Sequence, residues 1–310
     1  MRIAITGALG HIGSRFIHSV KPGEFEEILL LDNMATQRYP SLFNLPAGTR
    51  FRFVEADIMT ADLATLFKGF DAVIHLAAIT NAAGSFEIQD QVEKVNFHGT
   101  ERVAKACLET GGKLIFLSTT SVYGTASEVV DEDCPESDLK PQSPYAKSKI
   151  ESEKLLARMA KEQGLRFVAC RFGTIYGTSI GMRFHTAVNK FSWQARMGEP
   201  ITVWRTAMDQ KRPYLELGDA VRSLKFILEK DLFDNQVYNI LTDNITVGEI
   251  VAILRKYIPD VQVKLVDSAI MNQLSYTVAC EKFRAKGFKF EGKMEEGIKA
   301  TLDLLKNARP

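Results

Sequence analysis

Apolar residues in the first half of this chain follow two patterns that alternate. One is a short, nearly unbroken run: Ile3-Ala4-Ile5, Ile28-Leu29-Leu30-Leu31, Phe51-Arg52-Phe53-Val54, Ala72-Val73-Ile74, Leu114-Ile115-Phe116-Leu117 and Phe167-Val168-Ala169-Cys170. Runs this short, closed by glycine or polar residues, predict strands buried on both faces. The other pattern recurs every three or four positions, from about 12 to 20, over 88–110, and after Tyr145 through Ile150, Leu155, Leu156 and Met159. That period predicts helices with one buried face. Strand and helix alternating in this way predict an α/β protein, a doubly wound parallel sheet covered on both sides. Beyond Gly173 the regularity loosens. A helix is expected from Met182 to about Met197, a strand over 201–204, a helix over 220–228 and a last strand over 237–240 that rejoins the first sheet. Thr246 suits the cap of a helix reaching Tyr257, and 294–306 reads as a terminal amphipathic helix.

Composition narrows the classes of function. A net charge of +1 on 310 residues lacks the basic excess that nucleic acid or an anionic membrane surface selects. No apolar run is long enough to span a bilayer, and the chain opens directly on a strand pattern rather than a signal peptide. Cys107, Cys134, Cys170 and Cys280 are scattered, and the five histidines show no ligand spacing. Reduced thiols in a cytoplasm are expected, without a metal.

The loops after the strands carry the chemistry. Thr6-Gly7-Ala8-Leu9-Gly10-His11-Ile12-Gly13 joins the first strand to the first helix. Glycines at 7, 10 and 13 allow a tight turn, close approach to a pyrophosphate and helix-on-strand packing, and the helix N-terminus offers free N–H groups. Asp32 ends the second strand, about twenty residues on, where a carboxylate accepts from an adenosine ribose and repels a 2′-phosphate. NAD is therefore favoured over NADP, with Arg38 further along as the one basic residue against it. Asp57 is placed to meet the adenine amino group. His75 reads as a packed histidine. The fifth strand runs into Ser118-Thr119-Thr120-Ser121, and Ser143-Pro144 opens a helix that places Tyr145 and Lys149 one turn apart. An ammonium beside a phenol favours the phenolate, bringing a group with a pKa of about 10 toward use as a general base.

Together these segments resemble the extended short-chain dehydrogenase/reductases, specifically their nucleotide-sugar epimerases and dehydratases. The resemblance rests on Thr6-Gly7-x-x-Gly10-x-x-Gly13, Asp32-Asn33, His75-Leu76-Ala77-Ala78, Asn96-x-x-Gly99-Thr100, Ser118-Thr119-x-x-Val122-Tyr123-Gly124 and Tyr145-x-x-x-Lys149. It implies a Rossmann sheet over 1–172 and 215–245, and a smaller mixed α/β substrate domain over 173–214 and 246–310. It implies bound NAD, held by Gly7, Gly10, His11, Ile12, Gly13, Asp32, Asn33, Asp57, Ile58, Leu76, Ala77, Ala78, Asn96, Ser118, Tyr145, Lys149 and Phe172. It makes Tyr145 the base, Thr119 the group that aligns the reacting oxygen, and Lys149 the residue that holds the nicotinamide ribose and lowers the Tyr145 pKa. A nucleotide-activated sugar would meet Thr80, Thr119, Thr120, Tyr145, Thr174, Arg183, Arg205 and Arg212, with Arg212 on the diphosphate.

The family pattern is also broken in places. Thr174 stands where an asparagine is frequent, Pro213 follows Arg212 in place of an aspartate, and Gln273-Leu274-Ser275 occupies the position of a second diphosphate arginine. Dehydratases of the family carry an Asp-Glu pair directly after the catalytic threonine; Thr120 and Ser121 stand there instead. The expected activity is an NAD-dependent epimerase acting through a keto sugar. A nucleotide-sugar dehydrogenase or 4-ketosugar reductase, and a non-catalytic NAD-sensing protein, are the alternatives. The helices over 88–110 and 145–163 resemble the four-helix bundle of a family homodimer.

Overall fold

The computed structural model describes residues 1–82, 84–123, 129–267 and 275–308. Gly124, Gln273 and Leu274 therefore lie outside the described residues. In chain order the strands and helices are β1 (Arg2–Thr6), α1 (His11–His18), β2 (Glu27–Asp32), β3 (Arg50–Glu55), α2 (Leu63–Phe67), β4 (Ala72–His75) and α3 (Gln89–Val92). They continue as α4 (Gly99–Thr110), β5 (Lys113–Thr119), β6 (Val129–Val130), α5 (Pro144–Gln163), β7 (Phe167–Phe172) and β8 (Thr174–Tyr176). Then come α6 (Ala187–Arg196), β9 (Ile201–Trp204), β10 (Lys211–Glu216), α7 (Leu217–Glu229), β11 (Val237–Ile240) and β12 (Asp243–Thr246). The last are α8 (Val247–Tyr257), β13 (Val263–Val266), β14 (Thr277–Val278), α9 (Glu281–Arg284) and α10 (Met294–Leu304).

The main sheet has seven strands in the order β11-β7-β5-β4-β1-β2-β3. Every pairing in it is parallel. Successive side chains of each strand go to opposite faces, so each unbroken apolar run feeds two cores. Ile3, Ile5, Ile28, Leu30, Ile74 and Ile115 pack with Phe16, Ile17 and Leu224 of α1 and α7. Ala4, Leu29, Leu31, Val73, Leu114 and Phe116 pack with Val103, Cys107, Leu156 and Met159 of α4 and α5. The chain leaves β1 toward β2 and β3, then crosses to β4 on the other side. The strand order thus reverses between β1 and β4, and ligands of such sheets bind at the carboxyl ends of the strands at that point.

The second half supplies every strand but β6 of three smaller sheets, and has its own core. Strand β10 runs parallel to β8 and antiparallel to β12, β9 pairs with β13, and β6 with β14. Tyr176, Phe191, Ile201, Tyr214, Ile250 and Ile298 pack together there. Strand β11 pairs with β7 in the main sheet, as expected for 237–240. Thr246 caps α8 with a reciprocal bond pair to Glu249.

Two helices differ from the sequence expectation. The 88–110 segment is α3 and α4 joined by a π-turn over Glu93–His98. The helix expected from Met182 begins only at Ala187 after the extended Thr186, because Gly177 (φ +114) and the Gly181 contact described below hold 177–186 as a loop.

Glycine 13 shows how tightly α1 sits on β1. A Cβ built there would stand 2.3 Å from the carbonyl oxygen of Ala8, a backbone atom with no room to yield. Gly13→Ala should destabilise the protein by about 1–3 kcal/mol despite alanine's better helix propensity. Urea unfolding measures this, and an unchanged or raised midpoint would contradict the packing.

Candidate active site

The β1–α1 turn is shaped by backbone contact. Gly7 has φ +65, and a Cβ on it would lie 2.6 Å from the Ala77 nitrogen and 2.8 Å from the Leu76 carbonyl carbon. The two strand ends that flank the reversal point therefore touch main chain to main chain. Gly10 precedes α1 with no side-chain cap, so the first-turn N–H groups take no partner from it. His11 bonds Ser179 through Nδ1 at 2.8 Å, while its buried Nε2 has no partner among the described residues. Burial, then Arg183, Arg38 and His185, push its pKa down to about 3. From the far side, Gly181 closes on the turn: a Cβ there would stand 2.5 Å from the Leu9 oxygen, and Arg38 Nη1 donates to the Gly181 carbonyl at 2.9 Å. A glycine turn, a helix N-terminus, an orphaned imidazole nitrogen and a guanidinium make a set of donors that fits a pyrophosphate.

Asp32 lies at the end of β2, next to this turn. Its carboxylate accepts from the N–H groups of Leu9 (3.1 Å) and Met34 (3.0 Å), which fixes it with acceptor capacity left over. Asn33 donates to Asp57 at 3.1 Å, and Asp57 also accepts from Met59 N–H. Ile58 is buried beneath Gly99. Ala77 N–H donates to Thr6 Oγ1 at 3.3 Å. His75 is buried between Thr6 (2.7 Å) and Thr100 (3.1 Å), and burial lowers its pKa to about 3. It is a neutral packing residue.

At the other end of the crevice, Ser143 caps α5 by accepting from Ala146 N–H, and Pro144 takes the first helical position. The Tyr145 phenol meets Thr119 at the end of β5, whose side chain favours the ionised phenol. Burial pushes the phenol above its ordinary pKa, while the charge of Arg183 and the Thr119 side chain pull it down. Lys149 is buried with Nζ 4.7 Å from the Phe116 ring centroid, and the charge acting on it is Glu153. Burial lowers Lys149 to about 7 against that partner, so its own positive charge is incomplete near neutral pH.

Glu153 and Arg171 were not singled out from the sequence. Glu153 lies one turn beyond Lys149 on the buried face of α5, accepts from Ser118, and is gripped by Arg171 of β7 through Nε (3.0 Å) and Nη2 (2.6 Å). Arg171 also donates to the Tyr123 hydroxyl at 2.8 Å, which in turn bonds Asn239 of β11 at 2.8 Å. The available signal was an acidic residue spaced Tyr-x3-Lys-x3-Glu on an otherwise apolar face.

The remaining candidates divide. Asn96 is buried and bonded to both backbone groups of Ile79 and to Ser148 Oγ, which fixes the loop after Ala78 against α5. Thr80 bonds Arg183. Thr120 is buried and donates to the Phe172 carbonyl at 3.3 Å; Phe172 itself is core. Thr174 opens β8, and Arg212 of β10 donates to Gln210 and lies 5.2 Å from the Tyr276 ring centroid. Ile12 packs against the α1-side core. Arg205 is exposed and paired with Asp267 at 3.2 Å beside the β9–β13 sheet, and the structure does not bring it to Tyr145.

A model of the NAD dependent epimerase/dehydratase family matches residues 3–240, and the chain belongs to that family. It is 30% identical over 249 residues to the uncharacterized UDP-glucose epimerase YtcB of Bacillus subtilis, covering 77% of this chain and 76% of that one. It is 28% identical to a trifunctional UDP-glucose 4,6-dehydratase/UDP-4-keto-6-deoxy-D-glucose 3,5-epimerase/UDP-4-keto-L-rhamnose-reductase of Arabidopsis thaliana, over 97% of this chain but only 46% of that protein. Among solved structures, the UDP-glucuronic acid 4-epimerase of Bacillus cereus, in complex with UDP-glucuronic acid and NAD, superposes with a TM-score of 0.89 at 26% identity, covering 99% of each chain.

The Glu153–Arg171 pair is desolvated on both sides, so removing one partner leaves a buried charge unmatched. Arg171→Met should cost about 3–5 kcal/mol in chemical denaturation, and adding Glu153→Leu should recover most of it. A single variant as stable as the parent would contradict the pairing.

Proposed function

We propose that this member of the family is an NAD-dependent epimerase of a UDP-activated sugar, acting through a transient ketone at C4. The observation that carries the reading is the meeting of Tyr145 with Thr119, set in one crevice with the glycine turn at the strand reversal. The named activities of the Bacillus relatives support the nucleotide, and that of the Bacillus cereus enzyme supports the carbon.

In this reading residues 1–172 and 215–245 hold the dinucleotide, and 173–214 and 246–310 hold the sugar nucleotide. The α1 N-terminus, His11 and Arg38 take the pyrophosphate, Asp32 the adenosine ribose, and Lys149 the nicotinamide ribose. Bound NAD supplies the hydride acceptor, and the same hydride donor on return. Tyr145 takes the proton of the sugar hydroxyl, and Thr119 aligns that oxygen. The charge of Arg183, joined by Lys149 when protonated, offsets the burial that disfavours the phenolate. Arg212 faces the substrate diphosphate, where a guanidinium fork suits phosphate oxygens. Thr120 and Ser121 carry no carboxylate for eliminating water, which supports an epimerase over a dehydratase. The faces of α4 and α5 are proposed to form a homodimer, and the unpaired thiols support a cytoplasmic location.

Incubation with UDP-sugars should give an epimer with no net change in NADH, and stoichiometric NADH consumption would overturn the reading. Tyr145→Phe should retain bound NAD and lose about a hundredfold or more in turnover; an unimpaired variant would remove Tyr145 from the mechanism. Asp32→Ala should weaken the preference for NAD over NADP in binding titrations. If selectivity stays unchanged, another residue discriminates.

A further inference from the structure

Arg183 brings to the site a charge that no carboxylate neutralises among the described residues. The loop after β8 brings it back over the crevice. Asn189 pins that loop, bonding both backbone groups of Gly177 (3.2 and 3.3 Å) and the Arg183 carbonyl at 3.1 Å. The Arg183 guanidinium bonds Thr80 through Nη1. Thr80 follows Ile79, which Asn96 clamps and joins to Ser148, and Ser148 donates to the Tyr145 carbonyl at 2.7 Å. Arg183 is thereby fixed beside the first turn of α5, near enough for its charge to act on the Tyr145 phenol. Its Nε is buried with no partner, and no carboxylate is paired with it among the described residues. The charge that acts on it most is another cation, Arg38.

A half-buried guanidinium with one buried, unsatisfied N–H and no counter-ion is short of partners that a ligand can supply. The pyrophosphate end of the crevice already has the α1 N-terminus, His11 and Arg38, and the sugar diphosphate has Arg212. Arg183 instead stands by the hydroxyl that takes the substrate proton. We propose that the sugar is a nucleotide-activated sugar acid, with its carboxylate on the carbon next to the oxidised one and paired with the Arg183 Nε–Nη fork. This deepens the proposed function and rests on it. A neutral hexose would leave the buried Nε–H and the charge unpaired, so the same residue that binds the acid selects against its neutral analogue.

The test uses the purified holoprotein with UDP-glucuronic acid and UDP-glucose, reading kcat/KM for epimer formation, binding by calorimetry and NAD content per chain. The acid should be preferred by about a hundredfold. Arg183→Met should raise KM for the acid about 30-fold with no such rise for UDP-glucose, lower kcat for both because the phenolate loses a supporting charge, and leave bound NAD intact. Arg183→Lys should recover only part of the preference, because a point charge lacks the fork. The proposal is overturned if UDP-glucose is bound and inverted as well as the acid. It is also overturned if Arg183→Met loses NAD while the acid-to-neutral ratio is unchanged, which would assign Arg183 to the pyrophosphate. Turnover of neutral sugars alone leaves the epimerase reading standing and removes only this proposal. No binding or inversion of either nucleotide removes both. If Arg183→Met does not fold, the ratio measured on the parent protein decides.

Discussion

One buried carboxylate sets where Tyr145 and Thr119 sit. Glu153 projects from α5 into the space where β5 and β7 end, taking Ser118 on one side and Arg171 on the other. Ser118 is the residue before Thr119, and Glu153 is one turn from Lys149 and two from Tyr145 on the same helix. The pair therefore sets the height and rotation of α5 against the sheet, and with it the meeting of Tyr145 and Thr119. Such a pair adds little net stability over an apolar replacement. Its value here is positional, because a slip of α5 by one residue would turn Tyr145 out of the crevice.

The second constraint is the close approach at the strand reversal. Gly7 lies against Leu76 and Ala77 with no space for a Cβ, and Gly181 closes over the same turn from the second half of the chain. The crevice thus has a floor fixed by the main sheet and a cover drawn from the loop that carries Arg183. Arg38 and Arg183 line it with positive charge beside the neutral His11, and Arg212 stands on the β10 strand of the smaller sheet. A dinucleotide and a second anionic nucleotide are the ligands such a distribution accommodates.

The main sheet was legible because its strands are buried on both faces and appear as unbroken apolar runs, and because glycines at 7, 10 and 13 sit where one strand becomes one helix. The smaller sheets were not. Strand β10 contains Pro213, β12 reads Asp-Asn-Ile-Thr, and neither pattern announces a strand before its neighbours are known. Met182 to Phe184 continue the apolar period of α6 backwards, yet Gly181 is drawn to the glycine turn and Asn189 pins the intervening chain as a loop. The spacing of Tyr145 and Lys149 was plain, but spacing does not say which cation faces the phenol. Burial carries Lys149 over Phe116 toward Glu153, and Arg183 arrives from 38 residues further on, across a loop no local pattern predicts.

In the proposed reaction a carbon-bound hydrogen leaves as hydride and returns to the same carbon within one site, with Tyr145 and Thr119 managing only the hydroxyl proton. The most direct measurement is epimerisation in ordinary water of a UDP-sugar deuterated at the inverted carbon. The product should keep its deuterium at that carbon, without dilution. Replacement of the deuterium by solvent hydrogen would mean that the carbon is deprotonated rather than oxidised, and would contradict the mechanism at its root.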